Sequence, residues 1–326
     1  MFIVGFERCS TTSLAAYLTS GGFARNLVDG VKEPGVFSIE PALAREIFVQ
    51  RTADAPGVWH LDASVDYVLN EAAIAAITRN VEDYRIVVCM RNQFARTQSG
   101  YRMYRTVMSA APTDANLTSQ TGQLRFGSAT LRRTAGEKSL TPAFLKGPVL
   151  GNYVYTAMMA KLRGIDRDGD GIARIDEAFE RFLRRTLSEQ IVAEFRHIRR
   201  NGGHFPEMSV LANSYFASWI PRLLQLVDPR KVAVVTLDDE GVRCRLHEAM
   251  CKFIGLDGGD VQFPHENMRS DREPIGERDL ALARELMDQS LSGDSRQVVD
   301  LIGRTPALNT TLFAESALYW SQTGNV

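Results

Sequence analysis

The sequence predicts an α/β fold, a parallel sheet covered by helices in three layers. Two observations carry this expectation. The strongest strand candidates are short apolar runs that do not alternate, and helical stretches separate them. A run that is apolar at every position is buried on both faces, as strands of a helix-covered parallel sheet are. Helices between such strands supply the crossovers that parallel pairing requires.

In chain order the expected strands are Phe2–Phe6, Val58–Leu61, Ile86–Met90 and Val232–Leu237. The expected helices are Thr12–Thr19, Pro41–Gln50, Glu71–Thr78, Gln93–Val107, Tyr215–Leu226, Leu246–Ile254 and Glu277–Leu291. Pro112 to Gly147 is rich in Ser, Thr, Gly and basic residues, with weak periodicity, and reads as loops. Lys161 to Arg200 is highly charged and reads as part of a helical insertion, residues 150–200. With no internal repeat, the economical organisation is one domain, residues 1–326, carrying that insertion.

The chain has 326 residues, 44% hydrophobic and 24% charged, enough to bury a full core. A formal net charge of −1 provides no global field for nucleic acid or an anionic membrane, so any anion site has to be local. No apolar run approaches the ~20 residues of a membrane span. Met1 to Gly5 begins as a buried strand and lacks the basic flank and cleavage site of a signal peptide. Cys9, Cys89, Cys244 and Cys251 form no CxxC pair, which points to a reducing cytoplasm.

The first strand runs into Gly5-Phe6-Glu7-Arg8-Cys9-Ser10-Thr11-Thr12-Ser13-Leu14 and then a helix. Strand, tight loop and helix N-terminus present backbone N–H groups to an anion. Ser10, Thr11, Thr12 and Ser13 add hydroxyls and Arg8 adds a guanidinium fork. The same residues would also serve an ordinary βα turn whose Ser and Thr cap the helix. The nucleotide triphosphatase motif G-x-x-x-x-G-K-[ST] is absent: Ser10 stands at its second glycine and Thr11 at its lysine.

A second loop follows the strand Ile86–Met90: Arg91-Asn92-Gln93-Phe94-Ala95-Arg96-Thr97-Gln98-Ser99. An arginine at the C-terminal end of a parallel strand lies on the ligand edge of the sheet. Ser99 is two helical turns further along, on a helix that returns its hydroxyl toward the same anion.

Both loops resemble those of PAPS-dependent sulfotransferases, most closely the glycan- and heparan-type members. In that family the first loop binds the 5′-phosphosulfate of 3′-phosphoadenosine 5′-phosphosulfate (PAPS). Here Arg8 stands where members carry Lys or Arg, Cys9 and Ser10 replace a commoner small pair, and Thr11-Thr12 match the Thr-Thr. The second loop resembles the family's Arg-(Asn or Asp)-Pro-x-x-Arg-x-x-Ser, with Gln93 in place of the proline. There the first Arg and the Ser bind the 3′-phosphate, which implies that role for Arg91 and Ser99. The resemblance implies a P-loop-like nucleotide-binding fold, PAPS as donor and PAP as product. It also implies sulfonate transfer to a hydroxyl or amine of a small-molecule or glycan acceptor.

Lys32-Glu33-Pro34-Gly35-Val36-Phe37 resembles the family's Lys-Glu-x-x-x-Phe, whose glutamate takes the acceptor proton, so Glu33 is the first candidate base. Lys32 then holds Glu33 ionised or touches the sulfonate. His60 and Asp62 rank together behind it; the histidine's ordinary pKa of ~6.5 suits proton abstraction. Asp62, Ser64 and Tyr67 fit a further family segment in which Ala63 stands where members place a catalytic lysine. Asn213-Ser214-Tyr215, followed by a strand ending in Asp238-Asp239, resembles the family's Gly-x-Tyr and acidic pair.

Inside the insertion, residues 166–177 fit the EF-hand loop D-x-D-x-D-G-x₅-E. Asp166, Asp168, Asp170 and Glu177 would ligate calcium through side chains and Ile172 through its carbonyl, as a structural ion. Two other functions remain open on the sequence: a P-loop-type small-molecule kinase, and a non-catalytic nucleotide- or calcium-binding protein.

Overall fold

The computed structural model describes residues 1–27, 32–39, 45–46, 48–50, 53, 57–109, 180–203, 205, 209–255 and 274–318. The expected EF-hand loop 166–177, the stretch Pro112–Gly147 and half of the expected helix Pro41–Gln50 (41–44 and 47) lie outside the described residues.

Five strands are described: β1 (Phe2–Gly5), β2 (Ala24–Asn26), β3 (Trp59–Leu61), β4 (Ile86–Cys89) and β5 (Val232–Val235). Every pairing among them is parallel: β1 with β4, β4 with β5, and β2 with β3. The β2–β3 pair joins β1 at its edge, where Ile3 N donates to Asp62 O at 3.0 Å and Asp62 N donates to Met1 O at 3.1 Å. The spatial order is therefore β2-β3-β1-β4-β5. All residues of β1, β4 and β5 are buried, so both faces of this sheet are covered, as apolar runs without alternation require. The three residues of β2 are the addition to the strands read from sequence. Two of them are polar, and they find their place only by pairing with β3.

The helices are α1 (Thr11–Ser20), α2 (Val36–Ile39), α3 (Glu71–Asn80), α4 (Gln93–Ser109), α5 (Leu187–Arg200), α6 (Phe216–Leu226), α7 (Glu240–Ile254) and α8 (Glu277–Gly303). Their ends follow local chemistry. Asn70 caps α3 through Ala73 N, and Asp239 caps α7 through Val242 N. Thr186 and Glu189 form a reciprocal capping box at α5. Two apolar clusters result among the described residues. The larger surrounds the sheet; the smaller joins Phe94, Tyr101 and Tyr104 of α4 to Phe182, to Leu187 and Ile191 of α5, and to Met287 and Leu291 of α8. The last part of the expected insertion, α5, is thus packed into the body of the fold against α8.

Gln93 ties the two clusters together. Its Nε2 donates to Ser214 O at 2.6 Å and to Asp294 Oδ2 at 2.7 Å, while Ser295 Oγ donates to its Oε1 at 2.8 Å. Asp294 Oδ1 in turn accepts from Ala217 N at 3.0 Å, so one amide side chain anchors α8 to α4 and α6. Proline, the residue this position would carry on the family resemblance, supplies none of these bonds. Gln93→Pro is expected to lower unfolding free energy by about 3 kcal/mol, since each satisfied bond is worth ~1 and the buried partners are left unpaired. Urea unfolding of the two proteins checks this.

The sheet order reverses at β1: the chain leaves it toward β2 and β3 on one side, and β4 lies on the other. Beyond the carboxyl end of such a strand a crevice opens, and this is where open α/β sheets bind ligands.

Candidate functional site

The loop that leaves β1 is built for close approach. Gly5 has φ +149°, and a Cβ there would collide with Val68 Cγ1, so the turn needs glycine. Arg8 and Ser10 both take left-handed conformations, with φ 65° and 61°. Non-glycine residues hold that geometry at a cost of about 1–3 kcal/mol each, and it arranges neighbouring N–H groups into an anion-binding concavity. Ser10 precedes α1 without a side-chain cap, which leaves the helix N-terminus open toward the loop. Cys9 is buried and its thiol is pushed up to about 12 by burial, so it acts as packing beneath the loop.

The second loop meets the first directly. Arg8 Nε donates to Ser99 Oγ at 3.0 Å, and Arg91 NH1 donates to Arg8 O at 3.1 Å. Arg91 Nε also lies 2.7 Å from Asp238 Oδ2, just beyond the end of β5, in an ion pair whose donor direction misses the oxygen. From a third direction, Lys32 Nζ donates to Thr11 Oγ1 at 3.2 Å and pairs with Glu33 Oε1. Three cationic side chains from separate loops therefore meet around the N-terminus of α1. Thr11 stands where a nucleotide triphosphatase loop has its lysine, and the ammonium of Lys32 reaches that place from outside the loop. With backbone amides at the turn, this donor set fits an anion carrying charge at two ends.

Asp62 is fully buried and both of its oxygens are engaged. Ser64 Oγ donates to Oδ1 at 2.5 Å and Tyr67 OH donates to Oδ2 at 2.6 Å. Those two hydroxyls accept in turn from Gly35 N at 2.8 Å and Phe37 N at 3.1 Å. Ala63 N donates to Lys32 O at 3.0 Å. The segment bearing Lys32 and Glu33 is thus held in place by a relay that ends on Asp62. The Lys32 and Glu33 side chains stay 23% and 29% exposed, open to a second reactant. His60 lies elsewhere. Its carbonyl accepts from the Met1 ammonium at the start of β1, a strand's length from the loop, and its ring packs edge-on to Phe48.

Two residues lie beneath the loops to which the sequence assigned no role, although Arg96 matches the second-loop motif by spacing. Glu7, in the first loop, accepts from Tyr104 OH of α4 at 2.6 Å, and its N–H donates to Asn213 Oδ1 at 3.3 Å. Arg96 is fully buried; its Nε donates to Ser214 Oγ at 2.8 Å, and its other nitrogens donate to the carbonyls of Glu7 and Val210. A further buried carboxylate, Glu194, accepts from Ser209 Oγ at 2.5 Å and from the amides of Val210 and Leu211. It fixes the turn on which Asn213 and Ser214 sit.

Burial raises the carboxyls of Glu7, Asp62 and Asp294 to about 7, against the hydrogen bonds each accepts. Their ordinary values are 4.5 for Glu7 and 3.8 for the two aspartates, so the folded chain binds these protons more tightly than the unfolded chain. The stability they contribute is complete below about pH 4 and falls as pH rises through about 7. Glu7→Gln is expected to flatten that decline, which thermal melting across the range checks.

Among the described residues no group of three or more His, Cys, Asp or Glu is placed to hold a metal ion, and no helix is long and apolar enough to cross a membrane.

No family model and no curated protein matches the chain. Among solved structures, it resembles the crystal structure of a sulfotransferase from Alicyclobacillus acidocaldarius, with a TM-score of 0.50 and 17% identity. The match covers 93% of this chain and 94% of that one. A likeness of that extent at so low an identity identifies the fold: this chain has a sulfotransferase-like fold, a parallel sheet covered by helices.

Proposed function

We propose that this chain is a sulfotransferase that moves a sulfonate from PAPS to a hydroxyl or amine of an acceptor. One observation carries the reading: the hydrogen bond between Arg8 and Ser99, with Arg91 on the Arg8 carbonyl, makes the two anion loops a single surface. The phosphates of PAPS hang from one ribose, so clamps for its two ends have to adjoin.

In this reading Arg91 and Ser99 hold the 3′-phosphate, and Arg8 with the amides and hydroxyls of Cys9 to Ser13 holds the 5′-phosphosulfate. PAPS supplies an activated sulfonate: the acceptor's oxygen or nitrogen forms a bond to sulfur as the S–O bond to the 5′-phosphate breaks, releasing PAP. Glu33 takes the acceptor's proton, Lys32 orients that carboxylate through their ion pair, and Arg8 and Lys32 offset the charge that develops on the leaving oxygen. Asp62 is a positioning residue, acting through Ser64 and Tyr67 on the segment that carries Glu33.

Asp238 competes with the 3′-phosphate for Arg91. Asp238→Asn is therefore expected to bind PAP several-fold more tightly, a change that calorimetry reads directly. The same titration with ATP tests the function: the sulfotransferase reading expects PAP to bind more tightly than ATP, whereas tighter ATP binding would support a kinase.

A further inference from the structure

We infer that nucleotide binding at the first loop drives one proton onto Glu7, so that affinity for the nucleotide is coupled to pH through a buried carboxylate beneath the loop. The coupling rests on the PAPS reading of that loop. Glu7 immediately precedes Arg8 and is 7% exposed. Among the described residues one group donates to its carboxylate, the Tyr104 hydroxyl at 2.6 Å. Arg96 feels that charge but directs its own hydrogen bonds to neutral acceptors, Ser214 Oγ and the carbonyls of Glu7 and Val210. A carboxylate with one neutral donor in a dry setting is poorly compensated, and the arginines beside it are what keep its charge tolerable.

The charged and titratable groups around Glu7 come from four directions. α4 brings Tyr104 and Arg96, and the loop brings Arg8 and the Cys9 thiol. The segment before α2 brings Glu33, and α5 brings Glu194, which acts on Tyr104 and Arg96. The turn before α6 contributes the neutral side-chain amide of Asn213. Burial is the largest influence and raises the Glu7 carboxyl from 4.5 to about 7; the Tyr104 hydroxyl, Arg96 and Arg8 pull it down, and Glu33 pushes it further up.

An anion at the loop changes this balance. It sets negative charge against Arg8 and the N-terminus of α1, so that two negative charges share one set of cations. Like charges in a dry site do not both stay ionised. Glu33 is 29% exposed and paired with Lys32, so the buried group yields instead. Glu7 takes a proton from solvent and remains joined to Tyr104 as a neutral acid. The empty chain is ionised at Glu7 above about pH 7, whereas the complex is protonated there. Affinity is therefore level below that pH and falls above it by up to about tenfold per pH unit. A phosphate ester loses its second proton near ~6, below this window.

The test is calorimetry of PAP binding to the full chain at about pH 8 in Tris and in Hepes, whose ionisation enthalpies differ widely, with the affinity also followed across that range. The native chain is expected to take up about one proton per PAP bound. Glu7→Gln keeps an acceptor for Tyr104 and has no proton to gain, so it should show no uptake, a flat profile and about tenfold tighter binding than the native chain at pH 8. Tyr104→Phe is a second variant: it removes the hydroxyl that favours the ionised form, and should move the onset of the decline to higher pH. PAP bound without proton uptake by the native chain, or uptake unchanged in Glu7→Gln, would overturn the coupling and leave the sulfotransferase reading standing. Failure of PAP to bind at all would sink that reading and the coupling with it.

Discussion

Arg91→Ala is expected to bind PAP about a hundredfold more weakly than the native chain. Truncation removes a guanidinium within reach of a doubly charged phosphate, and two charge-assisted hydrogen bonds are together worth about 3 kcal/mol. The same change frees Asp238, whose carboxylate then faces the phosphate unneutralised and adds repulsion. Thermal stability should change little, because Arg91 is only partly buried and its contacts lie at the site's rim. Calorimetry against PAP, paired with melting curves, separates the two effects. A loss of affinity that tracked a loss of folding would count against a direct role.

The second large effect concerns transfer rather than binding. With PAPS and an accepted substrate, Glu33→Ala is expected to lower turnover by about 10²–10⁴, the usual contribution of a positioned base. PAP affinity should stay within about twofold, since Glu33 pairs with Lys32 and touches neither arginine clamp in the contacts observed. Asp62→Asn offers a sharper comparison. It keeps a group of the same shape at the end of the Ser64–Tyr67 relay but weakens its hold, so it should lower kcat less than Glu33→Ala does. A positioning role further predicts that the pH profile of the remaining activity keeps its shape. If Asp62→Asn matched Glu33→Ala in kcat and also shifted that profile, Asp62 would itself be the base.

The sequence made the sheet legible because its central strands are apolar at every position, and β1, β4 and β5 appear where those runs lie. The two loops were legible because each follows such a strand and carries its arginine close behind. The capping box at Thr186 and Glu189 was also written locally, as Thr-Leu-Ser-Glu. What stayed hidden depends on partners distant in the chain. Glu7 becomes a buried acid only because Tyr104 of α4 meets it across 97 residues. Gln93 reads as a broken family motif until Asp294 and Ser295 arrive from α8. Asp62 carries no local sign that its work is to hold Ser64 and Tyr67 under the Glu33 segment. Hydrogen bonds of this kind leave no periodicity, and only the folded chain reveals them.

The account rests most heavily on Arg91 and Arg8 gripping opposite ends of one nucleotide. The direct measurement compares PAP with 5′-AMP, which lacks the 3′-phosphate, on the native chain, Arg91→Ala and Arg8→Ala. Loss of the 3′-phosphate should weaken binding about a hundredfold in the native chain and in Arg8→Ala, and hardly at all in Arg91→Ala. Equal sensitivity of the two variants to that phosphate would contradict the assignment.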